Sequence, residues 1–175
     1  MSKLVDNMYE GNVKYEERMV FWLVLLILPP LAFIFLYIFL YQALIGPLGS
    51  KPAPQWFILT LTILFFALSY LFGSYKLVIT DNSLIAGYPA YRIHLPWENV
   101  VSAEEEKGTM WKYGGYGIRI GKIKGEKVLV LSLPRTKYIR LKLKNSKWIY
   151  AIISTKDIES ALNYIRQEIE IYRKD

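Results

Sequence analysis

The sequence predicts a membrane α-helical hairpin followed by a mainly β domain of about seven antiparallel strands, which a C-terminal amphipathic helix closes. Two long apolar segments, 20–41 and 56–74, contain no charged residue. A series of short strand patterns separated by turn signals begins at Tyr75. The last segment has apolar residues at spacings of three and four, which is typical of a helix with one buried face.

Both apolar segments have the length and composition of transmembrane helices. At about 1.5 Å per residue they extend roughly 33 and 28 Å, close to the ~30 Å hydrocarbon core of a bilayer. The alternative is a buried helix pair in a soluble protein, and so long an uncharged run argues against it. Pro29 and Pro30 predict a kink near the middle of the first helix. Aromatic residues near the segment ends are predicted to lie in the headgroup region: Trp22, Tyr37, Tyr41, Trp56, Tyr70 and Tyr75.

The charges beside the apolar segments predict an orientation in the cell membrane. The Gly/Pro-rich connection 43–55 makes the two helices antiparallel neighbours and contains one basic residue, Lys51. Five basic residues lie near the opposite ends: Lys3, Lys14, Arg18, Lys76 and Arg92. The positive-inside rule therefore predicts a multi-pass protein with two spans and both termini in the cytoplasm. Residues 1–19 form the predicted cytoplasmic N-terminal segment, 20–74 the hairpin and 75–175 the cytoplasmic domain, with a helical turn expected at 14–18.

The strand patterns after the hairpin alternate between apolar and polar residues. The clearest is 137–144, where Ile139, Leu141 and Leu143 alternate with basic and polar side chains. Ser154 and Thr155 are good N-cap residues for the final helix. The predicted strands are 75–80, 84–88, 91–95, 100–106, 117–123, 127–132, 137–144 and 147–153.

This order of strands and a closing helix is that of a pleckstrin-homology-like (PH-like) domain. Residues 75–106 resemble the opening half of bacterial PH-like (bPH) domains. Nearly the whole chain resembles a group of uncharacterised prokaryotic two-span membrane proteins with such a domain, through 15–22, the linker 46–49 and the run YGGYGIR at 113–119. The resemblance implies a fold and a membrane topology, and no activity. The phosphoinositide site of eukaryotic PH domains is not expected, because the loop 81–83 has no basic residue.

Few residues are suited to catalysis. The chain has no cysteine, and its single histidine, His94, lies in a predicted strand without histidine partners for a metal site. Glu104 and Glu106 share one face of a strand about 7 Å apart. They are a possible acid–base pair, although a run of like charge is more often a solvated edge or a partner of nearby basic residues. We therefore expect a non-enzyme with no catalytic residue, metal ion or cofactor.

The candidate partner-binding residues lie in and just after a glycine-rich stretch between two predicted strands. This stretch, 113–117, is followed by a strand and lacks the lysine and helix of a phosphate-binding loop. We call this stretch, together with Trp111 just before it, the aromatic–glycine loop. It is either a turn shaped by glycines or a recognition loop with exposed aromatic anchors, and the sequence leaves both open. The residues concerned are Trp111, Tyr113, Gly114, Gly115, Tyr116 and Arg119.

The net charge of +7 falls entirely in 75–175, because four Lys and Arg before it are matched by four Asp and Glu. A basic face beside a cytoplasmic leaflet gains about 1 kcal/mol per cation from anionic lipid. The alternatives are a solvated surface and a nucleic-acid site. The membrane tether and the lack of a recognisable nucleic-acid motif argue against the latter. The candidate lipid-facing residues are Lys122, Lys124, Arg140, Lys142 and Lys144.

These patterns together predict a non-catalytic docking or accessory module held at the bilayer. The expected partner is a protein, a larger membrane complex or a second copy of the chain, contacted through the aromatic–glycine loop or a groove beside the C-terminal helix. The first alternative is an anionic-lipid-binding module that uses the basic strands. The second is an enzyme that uses the edge formed by Glu104 and Glu106.

Overall fold

The computed structural model describes residues 11–108, 110–123 and 125–174, which form two compact units. The helical unit is residues 20–74. Within the described residues, the β unit combines 11–19 with the chain from Tyr75 onward. The helical unit therefore interrupts the sequence of the β unit.

The helical unit contains two apolar helices, α1 (Trp22–Leu44) and α2 (Gln55–Phe72). Both are long and apolar enough to cross a membrane, as predicted, and α1 continues through its two prolines. Ala32 is fully buried between them, and the rings of Phe35 and Phe65 stack with centroids 5.6 Å apart. Only 6% of the most apolar part of α1 and 17% of that of α2 is buried. Such exposure is unlike the core helix of a soluble protein and leaves a continuous apolar surface.

The threonine and serine hydroxyl groups of α2 are satisfied within the helix. Thr60, Thr62 and Ser69 each donate to the carbonyl four residues earlier, at 2.8, 3.0 and 2.7 Å. Polar side chains that bond their own helix in this way need no water.

The β unit consists of two sheets and one long helix. Sheet A has the strand order β1-β2-β3-β4, and sheet B has the order β5-β8-β9-β7-β6. The helix α3 spans Ile158–Lys174, and two short 3-10 helices span Trp97–Asn99 and Met110–Tyr113. The strands are β1 (Val13–Val20), β2 (Ser74–Thr80), β3 (Ser83–Tyr88), β4 (Tyr91–Pro96), β5 (Val100–Glu105), β6 (Gly117–Ile123), β7 (Glu126–Ser132), β8 (Lys137–Leu143) and β9 (Tyr150–Thr155).

The eight strands predicted after the hairpin correspond to β2–β9, with ends that shift by three residues or fewer. Two mostly antiparallel sheets and a C-terminal helix are therefore confirmed. The description as about seven antiparallel strands is too simple, because the described residues form nine strands and β7 pairs with β9 in parallel. This parallel pair arises because β9 inserts between β7 and β8, and strand patterns do not specify which strands become neighbours.

The helical turn predicted at Lys14–Arg18 is wrong, because these residues belong to strand β1. Exposure alternates along β1, and Met19 on its inner side is 1% exposed. The carboxylate of Glu17 accepts hydrogen bonds from Thr155 Oγ1 at 2.7 Å and from the Lys156 amide at 2.8 Å. The strand is thus fastened to the end of β9 and to the residue that follows it, and this contact between distant segments has no signal in the local sequence.

Two buried tyrosines connect the sheets. Tyr75 and Tyr88 meet edge to face with ring centroids 5.2 Å apart, and both are fully buried. The Tyr88 hydroxyl donates to the Ser132 carbonyl at 2.7 Å, and the Ser154 amide donates to the Tyr75 hydroxyl at 3.2 Å. The prediction that Tyr75 lies in a headgroup belt is therefore wrong, because its ring fills the core of the β unit.

We expect the β unit to lose stability above about pH 10. Burial, together with the negative charge of Glu17, raises the pKa of Tyr15 from 10.0 to about 12, and burial also raises the pKa of Tyr75 and Tyr88. Below pH 10 both states keep these protons. Between about pH 10 and 12 the unfolded chain loses them first, so the unfolded state is favoured. Urea unfolding midpoints measured across this window test the expectation.

In the same measurement, the substitution Tyr15→Phe should make the decline shallower, because it removes one of the titrating groups. Unfolding midpoints that stay constant up to pH 12 would contradict the raised pKa values of these tyrosines.

Candidate functional site

The aromatic–glycine loop is rooted on one face of sheet B, here called the outer face, which carries the side chains of Val128, Val130 and Ile152. Tyr113 is 9% exposed and lies in an apolar cluster with Val128, Val130 and Ile152. Tyr116 packs against the same cluster and is half-buried. The interpretation of these two tyrosines as exposed anchors, which the sequence left open, therefore fails for Tyr113 and holds only in part for Tyr116. Their rings cover apolar side chains on this face of sheet B, and the alternation within single strands does not reveal that cluster.

Trp111 differs from both tyrosines because its side chain is 77% exposed. It lies two residues before Tyr113 in the same short 3-10 helix, and its carbonyl accepts a hydrogen bond from the Gly114 amide at 3.1 Å. Gly114 and Gly115 follow with φ of 87° and 95°, values that glycine adopts without strain. The loop thus holds an exposed indole on a turn whose other end is buried.

Glu104 and Glu106 both form ion pairs with one arginine, Arg140. Arg140 lies 2.9 Å from the Glu104 carboxylate and 3.6 Å from that of Glu106. Glu106 is 8% exposed and also accepts the Gly108 amide at 3.2 Å. The hydrogen bond that the Arg140 guanidinium donates to the Glu104 carboxylate raises the pKa of Arg140. This arrangement is an ion-pair network between β8 and the end of β5, in which the Glu106 side chain is buried and the Glu104 side chain is 60% exposed.

The predicted lipid-facing residues do not form one surface. Register places Arg140 and Lys142 of β8 on the outer face of sheet B, where Arg140 pairs with carboxylates and Lys142 is exposed. Lys144 is exposed just beyond the end of β8. Lys122 is exposed on β6 but lies on the opposite face, level with Lys127 of β7. Lys124 lies outside the described residues.

The remaining candidates are a histidine and a groove. His94 is exposed on β4, and its Nε2 atom lies 2.8 Å from the Ser83 hydroxyl. Within the part of the chain that the structure describes, no group of three or more His, Asp or Glu side chains could hold a metal ion. Beside the C-terminal half of α3 lies a cleft of about 350 Å³, whose lining includes Trp97, Ile169, Tyr172 and Arg173.

Comparison of the chain with protein-family models, curated proteins and solved structures gives no match. The bPH resemblance therefore remains a prediction from the residues themselves. Class and function rest on the geometry described above.

Proposed function

We propose that this protein is a non-catalytic docking module that presents a PH-like β domain to a protein partner at the cytoplasmic leaflet of the cell membrane. The two apolar helices anchor it, and both termini face the cytoplasm. The observation that carries the proposal is the exposure of Trp111 on a loop fixed by Tyr113.

An exposed indole in that position gains free energy when a partner buries it, and it loses little conformational entropy on binding. Burial of a tryptophan side chain dominates many protein interfaces, and anchors held rigid before binding lose the least conformational entropy. Tyr113 and the positive-φ glycines fix the turn in advance. The arrangement supports recognition of a partner pocket better than it supports catalysis, because the carboxylates of Glu104 and Glu106 are paired with Arg140.

A second candidate function is binding of anionic lipid headgroups. The specific support is Lys142 and Lys144, which are exposed at and beyond the end of β8. Each cation near an anionic leaflet contributes about 1 kcal/mol, and the attraction falls off within a Debye length. Such binding should therefore weaken strongly with added salt.

The Trp111→Ala variant tests the docking function. Full-length protein is purified from native membranes in mild detergent, and the stoichiometry of co-purifying protein is compared between variant and wild type. We expect the wild type to retain a stoichiometric partner and the variant to bind it about 30-fold more weakly, the loss typical of a central tryptophan.

Two matched variants make the result specific. Tyr91→Ala removes a ring of 41% exposure on β4 and should leave binding unchanged. Tyr172→Ala alters the cleft beside α3, so loss of the partner there and not with Trp111→Ala would move the docking site to that cleft. Wild-type protein that carries only anionic lipid, released by salt, would replace docking by the lipid-binding function.

A further inference from the structure

One apolar row of sheet B continues past the covered core to an exposed isoleucine. Strand register places five residues side by side on the inner face, from β5 to β6: Ala103, Leu141, Ala151, Leu129 and Ile120. The first four are between 0% and 6% exposed. Ile120 at the end of the row is 69% exposed. The row therefore ends in a large side chain on the core-facing side that nothing in the described residues covers.

Ile120 lies on β6, the last strand of sheet B. One side of β6 pairs with β7, and its other side pairs with no strand in the ranges that the structure describes. The opposite edge, β5, is treated differently, because α3 packs against it and Arg173 donates to the Val101 carbonyl at 2.6 Å. An open edge strand is a template for an added strand, which supplies backbone hydrogen bonds and covers the row.

The charges on β6 restrict which strand can add. Arg119 is exposed on the outer face, and Lys122 is exposed on the inner face two residues from Ile120. Lys127 on β7 is exposed opposite Lys122. A second β6 would bring two further cations to this edge, which disfavours self-pairing, whereas an acidic segment would neutralise them.

We infer that the free edge of β6 binds an extended acidic segment of a protein partner by β-strand addition. The inference rests on the docking function proposed above and specifies the chemistry of the partner. The residue that faces Ile120 is apolar, and the residues that face Arg119 and Lys122 are acidic. In antiparallel pairing the partner therefore reads acidic–any–apolar–acidic, and in parallel pairing it reads acidic–apolar–any–acidic.

The test uses full-length protein in detergent micelles and fluorescent peptides that contain Thr-Glu-Thr-Val-Glu-Thr or Thr-Glu-Val-Thr-Glu-Thr, with binding followed by anisotropy. We expect one of the two orders to bind. A control peptide keeps both acidic residues but replaces the threonines by proline, which removes backbone donors and prevents strand pairing. It should not bind.

The protein variants separate the edge from general electrostatics. Arg119→Glu with Lys122→Glu should weaken binding at least about tenfold, because two cross-strand attractions become repulsions. Lys156→Glu with Arg166→Glu makes the same change in charge at exposed positions on and before α3 and should leave binding unchanged. Ile120→Glu should also abolish binding.

Three results would overturn the inference. They are absence of binding by both peptides, equal binding of the proline peptide, and a wild-type dimer that Ile120→Glu dissociates, which would assign the edge to a second copy. The native partner gives an independent check. If the Arg119→Glu, Lys122→Glu variant retains it, the docking function stands and the edge pairing falls, whereas absence of any partner on the wild type removes the docking function itself.

Discussion

Substitution of Gly87 by alanine is expected to destabilise the β unit by about 3 kcal/mol. Gly87 lies in β3 with φ of +140°, a conformation that side chains rarely adopt. A Cβ atom there would overlap the Tyr91 carbonyl oxygen and would lie 2.9 Å from the Arg92 Cα atom. Both obstacles are backbone atoms of the neighbouring strand β4, so no side chain can rotate away to relieve them. The register of the β3–β4 pair must shift instead.

Because the chain has no cysteine, a single introduced cysteine can report unfolding without background from other thiols. Ala151 is 1% exposed, so an Ala151→Cys background reports unfolding of the β unit by thiol alkylation as temperature rises. The Gly87→Ala midpoint should fall by about 10–20 °C. Gly121→Ala is the matched control, because this strand glycine has no positive φ and no heavy atom within 4 Å of an added Cβ. Equal midpoints for the two variants would contradict the steric account.

The Lys14→Met substitution is the second change with a large expected effect. Lys14 Nζ lies 2.7 Å from Glu168 Oε1, and the Glu168 side chain is 3% exposed. Loss of the cation leaves a buried carboxylate without its ion-pair partner, which typically costs 3–5 kcal/mol. Lys14 itself is 35% exposed, so water relieves part of the cost, and we expect a loss of about 2–4 kcal/mol.

A double-variant cycle isolates the buried charge as the cause. Lys14→Met with Glu168→Leu removes both charges and should recover most of the lost stability, because well-packed apolar residues replace buried ion pairs at little cost. Glu168→Leu alone should be milder than Lys14→Met, because Lys14 can still reach water. A double variant as unstable as Lys14→Met alone would show that the pair acts through packing instead of charge.

Local sequence patterns predicted most helices and strands of this fold, but they did not predict which strands lie next to each other. The apolar lengths of α1 and α2 and the alternation in β8 are properties of single segments, so the sequence specifies them directly. The position of β9 between β7 and β8 depends on contacts between distant segments. The strand β1 was missed for the same reason. Its charged sequence resembles a helical turn until Glu17 and Lys14 are paired with Thr155 and Glu168.

The sequence pointed to candidate segments, but it did not specify which of their side chains would be exposed, buried or paired. The sequence singled out the aromatic–glycine loop as a candidate, but whether Trp111 or Tyr113 faces solvent depends on the cluster beneath the loop. Arg140 was grouped with the lipid-facing cations because of its charge, whereas the structure shows it in an ion pair with Glu104. Ile120 escaped notice, because alternation in β6 predicts an inward isoleucine and cannot show that the strand forms an edge.

The interruption of the β unit by the helical unit imposes an order on biosynthesis. Strand β1 emerges from the ribosome before the two apolar helices, whereas its neighbour β2 follows them. Sheet A therefore cannot close until both helices have been made, and β1 must wait through more than fifty residues of apolar chain. Completion of sheet A therefore requires that both apolar helices have already been synthesised, which couples assembly of the β unit to synthesis of the helical unit.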